Sequence, residues 1–275
     1  MRLELHCHST CSDGSLSPDA LAAQAREEGV ELFCLTDHDS FAGYDATAAA
    51  MTGVPVLRGV ELSCRHEQKT VHLLLYGVAD GPGHAALERR LAGILEDRRR
   101  RLRAIVVRLA ELGIKLDADE ILIGTHGHTP GRPDIARALV EQGHVRSPRE
   151  AFERYLHDGG PADVALDRVT LDEGLALGRD AGAKMSLAHP HSLRSHQLVG
   201  EIFQRHRADG LEGIEAFYGR YREHEREVWL RIARRHDLVV TGGSDFHGDA
   251  VPEVRRPGIE LPEPFAARLR AWLGV

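Results

Sequence analysis

Short apolar blocks recur along the 275-residue chain at regular intervals. Runs suited to strands lie at 2–8 (RLELHCH), 31–37 (ELFCLTD), 54–62 (VPVLRGVEL), 71–78 (VHLLLYGV), 184–189 (KMSLAH), 211–217 (LEGIEAF) and 238–245 (LVVTGGSD). Between several of them the apolar spacing stretches to the helical period. The segment SPDALAAQAREEG predicts a helix with Ser17 as N-cap, Pro18 in its first turn and Gly29 as its stop. Residues 170–182 and about 222–236 read the same way. Alternation of this kind predicts an α/β fold of parallel strands joined by crossovers. Seven strands over this length favour a closed or nearly closed barrel over an open sheet.

One region breaks the rhythm. A long Arg-rich helical pattern (HAALERRLAGILEDRRRRLRAIVVRLAELG) opens at His84, and shorter ones follow at 117–122, 133–142 and 148–157. The expected organisation is a barrel made of residues 1–83 and 161–275. A helical insertion, 84–160, would separate the fourth and fifth strands and cover the active site. The RRRR run at 98–101 would spread around a solvated helix face.

Composition narrows the partners. Hydrophobic residues make up 42% and charged residues 28%, as in ordinary globular domains. A net charge of −7 argues against bulk attraction to duplex DNA or to an anionic membrane. No apolar run reaches the roughly 20 residues needed to span a bilayer, and the N-terminus lacks signal-peptide features. A cytoplasmic location is expected. Cys7, Cys11, Cys34 and Cys64 form no C-x-x-C pair, so free thiols are expected in a reducing compartment. The unusual count is histidine, 17 in all, many at the ends of apolar runs.

Those ends carry the chemistry. His6 and His8 are two apart in a strand, so both leave one face while Cys7 leaves the other. Asp13 follows in a Ser/Gly-rich turn. Further on come His38 in TDHD, Glu61 in GVEL, His72, His189 in AHPH, and Asp245 and His247 in GSDFHG. Most sit at carboxyl ends of the expected parallel strands, where α/β barrels and open α/β sheets place active sites. His72 falls early in its strand, so either that boundary is misplaced or the strand runs the other way. Together these residues point to a polynuclear metal site, and mixed His/Asp/Glu ligation suits Zn, Mn or Fe better than Ca. Amidohydrolase barrels share the opening H-x-H but often bridge their metals with a modified lysine at a strand exit. Here Lys184 opens its strand, neither Lys69 nor Lys115 is better placed, and Glu61 is the available bridging carboxylate.

The ordered set HCHSTCSDGSLSP, LTDHDS, GVELSC, HLLLYG, LAHPH and GSDFHG resembles the PHP (polymerase and histidinol phosphatase) superfamily. The helical segment GRPDIARALVEQG resembles its stand-alone branch of nucleotide phosphoesterases, which includes 3′,5′-nucleotide bisphosphate phosphatases and a 5′→3′ exoribonuclease. The resemblance implies a distorted (β/α)7 barrel, the PHP fold, holding two or three divalent ions. Mn2+ is the first choice, with Fe2+, Zn2+ or Mg2+ as alternatives. It implies that His6, His8, Glu61 and Asp245 hold one metal, that Asp13, His38 and His247 hold a second, and that Glu61, His72 and His189 hold a third.

Such a cluster would cleave a phosphate ester with a metal-bound hydroxide held by Glu61 and its neighbours, without a protein nucleophile. The expected reaction is removal of the 3′-phosphate from 3′,5′-bisphosphonucleotides such as 3′-phosphoadenosine 5′-phosphate, with short RNA as a further substrate. Arg132 is expected to grip a second phosphate, and His191 to bind phosphate or protonate the leaving oxygen. The chain departs from the branch at His191–Ser192, where relatives tend to carry Arg–Tyr, and at Asp134, where they often carry histidine. The rival readings are a histidinol phosphatase and a non-catalytic metal-binding regulatory module. The oligomeric state is left open.

Overall fold

Each of the seven apolar runs contributes a strand in the computed structural model, which describes residues 1–125, 129–165 and 168–275. These are β1 (Arg2–Glu4), β2 (Leu32–Leu35), β3 (Val56–His66), β4 (Lys69–Tyr76), β6 (Lys184–Leu187), β7 (Leu211–Tyr218) and β8 (Val239–Gly243). Two further pairs of residues join them, β5 (Val169–Thr170) and β9 (Ile259–Glu260). The sheet runs β8-β7-β6-β4-β3-β2-β1-β9, with β5 paired to β3. It is a nearly closed barrel. Past their formal ends, β1 and β8 meet through a parallel bridge between Cys7 and Phe246. Asp245 N donates to the His6 carbonyl at 2.7 Å, and His8 N donates to the Phe246 carbonyl at 2.9 Å.

The parallel expectation fails at one strand. β4 is antiparallel to both β3 and β6, whereas β1–β2, β2–β3, β6–β7 and β7–β8 are parallel. The cause is local: two residues, Glu67 and Gln68, turn the chain straight back from β3 into β4, with Glu67 at φ 52°. This explains His72. It lies opposite Ser63 in register, so a residue near the start of β4 stands beside the end of β3.

Helices α1 (Pro18–Glu27) and α2 (Tyr44–Ala50) follow β1 and β2. Next come α3 (Pro82–Glu111), α4 (Ala118–Gly124), α5 (Arg132–Glu141) and α6 (Pro148–Ala151). The remainder are α7 (Leu171–Asp180), α8 (His196–His206), α9 (Glu223–Arg235) and α10 (Phe265–Leu273). Ser17 stands at the N-cap of α1 and Pro18 in its first turn, as the sequence indicated. The chain forms two compact units, Met1–Arg90 with Arg168–Val275, and Leu91–Asp167, so the observed division falls several residues beyond 84 and 160. The second unit has its own core, including Leu102, Ile105, Leu109, Ile135, Leu139 and Leu156. No helix is long and apolar enough to cross a membrane among the described residues.

The barrel seam is held by a buried carboxylate that the apolar pattern hides. Glu4, fully buried, accepts hydrogen bonds from His6 N at 3.0 Å, Ser244 N at 2.9 Å and Gly258 N at 2.5 Å, and from the Ser244 hydroxyl. Burial pushes its pKa up, and those donors pull against the shift. At the same seam, β8 approaches β1 so closely that a Cβ on Gly243 would run into His6 N and Cβ. Gly243→Ala should therefore destabilise the fold by about 1–3 kcal/mol, the usual range for overpacking. Denaturant unfolding checks this, and a change within about 0.5 kcal/mol would contradict the close approach.

Candidate metal centre

The barrel brings all nine expected ligands into one cluster around Glu61, most of them from strand exits. This carboxylate sits mid-strand in β3 and is 1% exposed. Its Oε1 lies 2.7 Å from His72 Nδ1, 3.0 Å from His189 Nε2 and 3.3 Å from His6 Nε2. Its Oε2 lies 3.0 Å from His38 Nδ1 and 3.2 Å from His8 Nε2. Asp245 Oδ1 stands 3.5 Å from His6 Nε2 and 3.4 Å from His8 Nε2. Asp13 closes the other side, 3.3 Å from His247 Nε2 and 3.7 Å from His38 Nε2.

Three groups have ligand atoms mutually within 4.8 Å: His8, Asp13, His38 and His247; His6, His8 and Glu61; and His38, Glu61 and His72. His8, His38 and Glu61 are thus each shared between two groups. His8 also stacks on His247, with ring centroids 4.1 Å apart.

Neighbouring groups aim these ligands. Glu215, fully buried in β7, takes His6 Nδ1 at 2.9 Å and so turns Nε2 toward Glu61 and Asp245. Its second oxygen accepts His189 N at 2.6 Å, which anchors His189 at φ 22°. Asp245 also has a left-handed backbone, φ 55°, held by its bond to the His6 carbonyl. Such conformations are unfavourable for a residue with a side chain and persist only where surroundings fix them. His247 Nδ1 donates to the Asp245 carbonyl at 2.9 Å, leaving Nε2 for Asp13. Asp37 ties down the loop carrying Asp13 by accepting from Ser9 N and Oγ at 2.7 Å each and from Ser12 Oγ at 2.5 Å.

The donor set fits divalent metal ions. Among the described residues, His6 Nε2, His8 Nε2 and Glu61 Oε2 are buried, and their close N···O approaches lack hydrogen-bond geometry. All three face into the cluster, and buried polar atoms rarely go unsatisfied without a functional cause. Aimed imidazoles with carboxylates behind them are the usual support of a metal site. Cys7 takes no part. It is fully buried beside Leu21, Phe33 and Phe246, and burial pushes its thiol well above the ordinary value. All four cysteines are free.

The two substrate candidates stand differently. His191 lies against the cluster's edge, its ring 6.0 Å from that of His189. Its backbone N–H donates to the Tyr221 hydroxyl at 3.2 Å, and its Nδ1 shares a hydrogen bond with the same hydroxyl at 2.9 Å. Burial, with the charges of His189 and Arg220, lowers its pKa. Arg132 belongs to the second unit, where its Nη1 donates to the Leu156 carbonyl at 2.8 Å and to Asp158 at 2.7 Å. Glu4, Glu215, Tyr218, Arg220 and Tyr221 escape a motif reading. Glu215 did leave a trace, as a carboxylate in the apolar run LEGIEAF.

Comparison with known proteins follows the same lines. Residues 4–88 match the PHP domain family. The chain is 32% identical over 257 residues to a 3′,5′-nucleoside bisphosphate phosphatase of Chromobacterium violaceum, covering 89% of this chain and 87% of that one. It is 31% identical over 249 residues to a 5′-3′ exoribonuclease of Haemophilus influenzae, covering 90% of each. The solved structure of a metal-dependent phosphoesterase from Bifidobacterium adolescentis superposes with a TM-score of 0.81 at 31% identity, covering 98% of this chain and 96% of that one.

Protons and metal ions compete for these imidazoles. Burial favours the neutral ring, but Glu215, Glu61 and Asp245 together raise His6 well above its ordinary value. Glu61 and Asp13 likewise prevail over burial at His38, and Asp13 and Asp245 do so at His247. At His8, Asp245 and Glu61 overcome both burial and His247. At His72 burial wins and the pKa falls. A raised histidine pKa stabilises the fold fully below the unfolded value of about 6.5 and loses that contribution as pH rises through the folded value. The metal-stripped protein should therefore melt at progressively lower temperature as pH rises above about 6.5, and divalent metal should abolish the decline. Thermal melts with chelator or metal across this range check it. A chelated midpoint that climbs with pH would contradict it.

Proposed function

The chain belongs to the PHP family, and from that premise we propose that it removes the 3′-phosphate of ribonucleoside 3′,5′-bisphosphates, such as 3′-phosphoadenosine 5′-phosphate, leaving the nucleoside 5′-monophosphate. At the coarser level it is a metal-dependent hydrolase of phosphate esters, in keeping with its relatives. The observation that carries the reading is Glu61, one buried carboxylate within 3.3 Å of five imidazoles. No structural purpose requires so many metal-binding side chains around one acid.

His6, His8, Glu61 and Asp245 would hold one ion, Asp13, His38 and His247 a second, and Glu61, His72 and His189 a third, with Mn2+ the leading candidate. Ions held there would acidify a water and neutralise charge on the phosphoryl oxygens. The chain's own groups do the rest. Asp245 and Asp13 keep the imidazoles oriented. Glu215 fixes His6, and Tyr221 fixes His191. The His191 ring would donate to the leaving oxygen or a phosphoryl oxygen of the bound ester. Short oligoribonucleotides present the same esters and are further substrates.

A panel of metal-loaded assays tests the reading: 3′-phosphoadenosine 5′-phosphate, a short 5′-phosphorylated RNA, a cyclic phosphodiester and histidinol phosphate. The bisphosphate should give the highest kcat/KM, and Glu61→Gln should lower it by at least about 1,000-fold, about 4 kcal/mol of barrier, with loss of bound metal. Activity confined to another member of the panel would overturn the substrate. An unimpaired, metal-replete Glu61→Gln protein would overturn the shared-ligand role.

A further inference from the structure

At the exit of β7 the chain reads Tyr218-Gly219-Arg220-Tyr221, and its side chains build a wall against the metal cluster. The Tyr218 hydroxyl donates to Asp245 Oδ2 at 2.6 Å, and Arg220 Nη2 donates to the same oxygen at 3.0 Å. Arg220 also contacts the Tyr218 hydroxyl through Nε at 2.8 Å. Asp245 Oδ2 is thereby saturated, which leaves Oδ1 facing His6 and His8. The guanidinium and the His191 ring both lie against Tyr218, each 5.2 Å from its ring centre. His191 in turn is held by Tyr221, which bonds its backbone N–H and its Nδ1.

Arg220 is not used up by these bonds. Its side chain is 44% exposed, and Nη1 makes no hydrogen bond or ion pair among the described residues. A guanidinium anchored through Nε and Nη2 has lost most of its rotational freedom, yet it still presents two N–H donors. The Nε and Nη2 edge is occupied by Tyr218 and Asp245, and the two N–H groups of Nη1 can donate to phosphate oxygens. Asp245 Oδ2 balances part of the charge from behind without blocking Nη1. On an exposed loop with no metal beside it the same residue would be an ordinary ion pair. Here it stands one carboxylate away from a metal-ligating oxygen.

We propose that Arg220 is a substrate-binding residue whose Nη1 group grips the phosphate that is not cleaved. The proposal rests on the bisphosphate reading above and names the group that selects for a second phosphate. A substrate with only the scissile phosphate makes no use of this corner. Arg220 therefore governs the preference for bisphosphate over monophosphate, where the metal ligands govern cleavage of either.

The test uses the metal-loaded protein with Arg220→Ala and Arg220→Lys. Adenosine 5′-monophosphate, which keeps the uncleaved phosphate, and adenosine, which lacks it, are titrated calorimetrically, and bound metal is counted by elemental analysis. Hydrolysis of 3′-phosphoadenosine 5′-phosphate and of adenosine 3′-monophosphate is measured alongside. The expected result for Arg220→Ala is metal content equal to wild type and roughly 10- to 100-fold weaker binding of the 5′-monophosphate relative to adenosine. The ratio of kcat/KM for bisphosphate over 3′-monophosphate should fall by a similar factor, and Arg220→Lys should recover only part of it. Loss of metal with an equal fall on both substrates would overturn the proposal, because Arg220 would then act only through Asp245. An unchanged ratio would overturn it as well. If wild type itself hydrolyses no bisphosphate but binds the 5′-monophosphate through Arg220, the substrate reading fails and the phosphate grip stands.

Discussion

A carboxylate buried among five imidazoles is the constraint on which this molecule turns. Glu61 is 1% exposed, and an isolated charge at such a depth would be prohibitively unfavourable. Burial alone would raise its pKa, yet His38, His72 and His6 hold it well below the usual carboxylate range. The compensation works in both directions, because the imidazoles need the carboxylate as much as it needs them. Protons can satisfy that arrangement only in part. Buried nitrogen and oxygen atoms without hydrogen-bond geometry remain at its centre, and divalent ions would satisfy them together.

The barrel supplies these side chains from separate strand exits, and each delivery needs a support. Glu215 reaches from β7 to His6 and to the backbone of His189. Asp37 pins the loop that carries Asp13. Glu4 stitches β1 to the segments beyond β8 and so sets where His6 and Asp245 meet. The reversed strand β4 is part of the same design. A parallel strand would bring its carboxyl end to this face, whereas the antiparallel one brings His72 from its opening turns. Behind the ligands, then, stand further buried acids: Glu215 orients the His6 ring, and Glu4 and Asp37 fix the backbone that carries the ligands.

Much of this was legible in the amino-acid sequence. Alternating apolar runs located seven strands, and paired His and Asp residues at their ends named the cluster before any geometry. What stayed hidden has physical reasons. β5 and β9 span two residues each, too short for any periodicity. The direction of β4 depends on a two-residue turn, and local composition around Glu67 and Gln68 did not announce it. Glu4 and Glu215 are single carboxylates inside apolar runs, and their use emerges only when the barrel closes. Arg220 and Tyr221 follow an apolar strand with no motif around them. Their meaning comes from Asp245 and His191, 25 and 30 positions away in sequence. Arg132 shows the converse. A motif singled it out, while in the structure it pairs with Asp158.

The central claim is that Glu61 is shared between metal ions. The most direct test is anomalous diffraction from crystals of the metal-loaded protein, collected at the absorption edge of the bound element. The account predicts at least two peaks in the cluster, both within about 2.0–2.3 Å of a Glu61 oxygen, with His6 and His8 on one and His72 or His189 on another. A single ion that leaves Glu61 uncoordinated, or peaks confined to Asp13, His38 and His247, would contradict it.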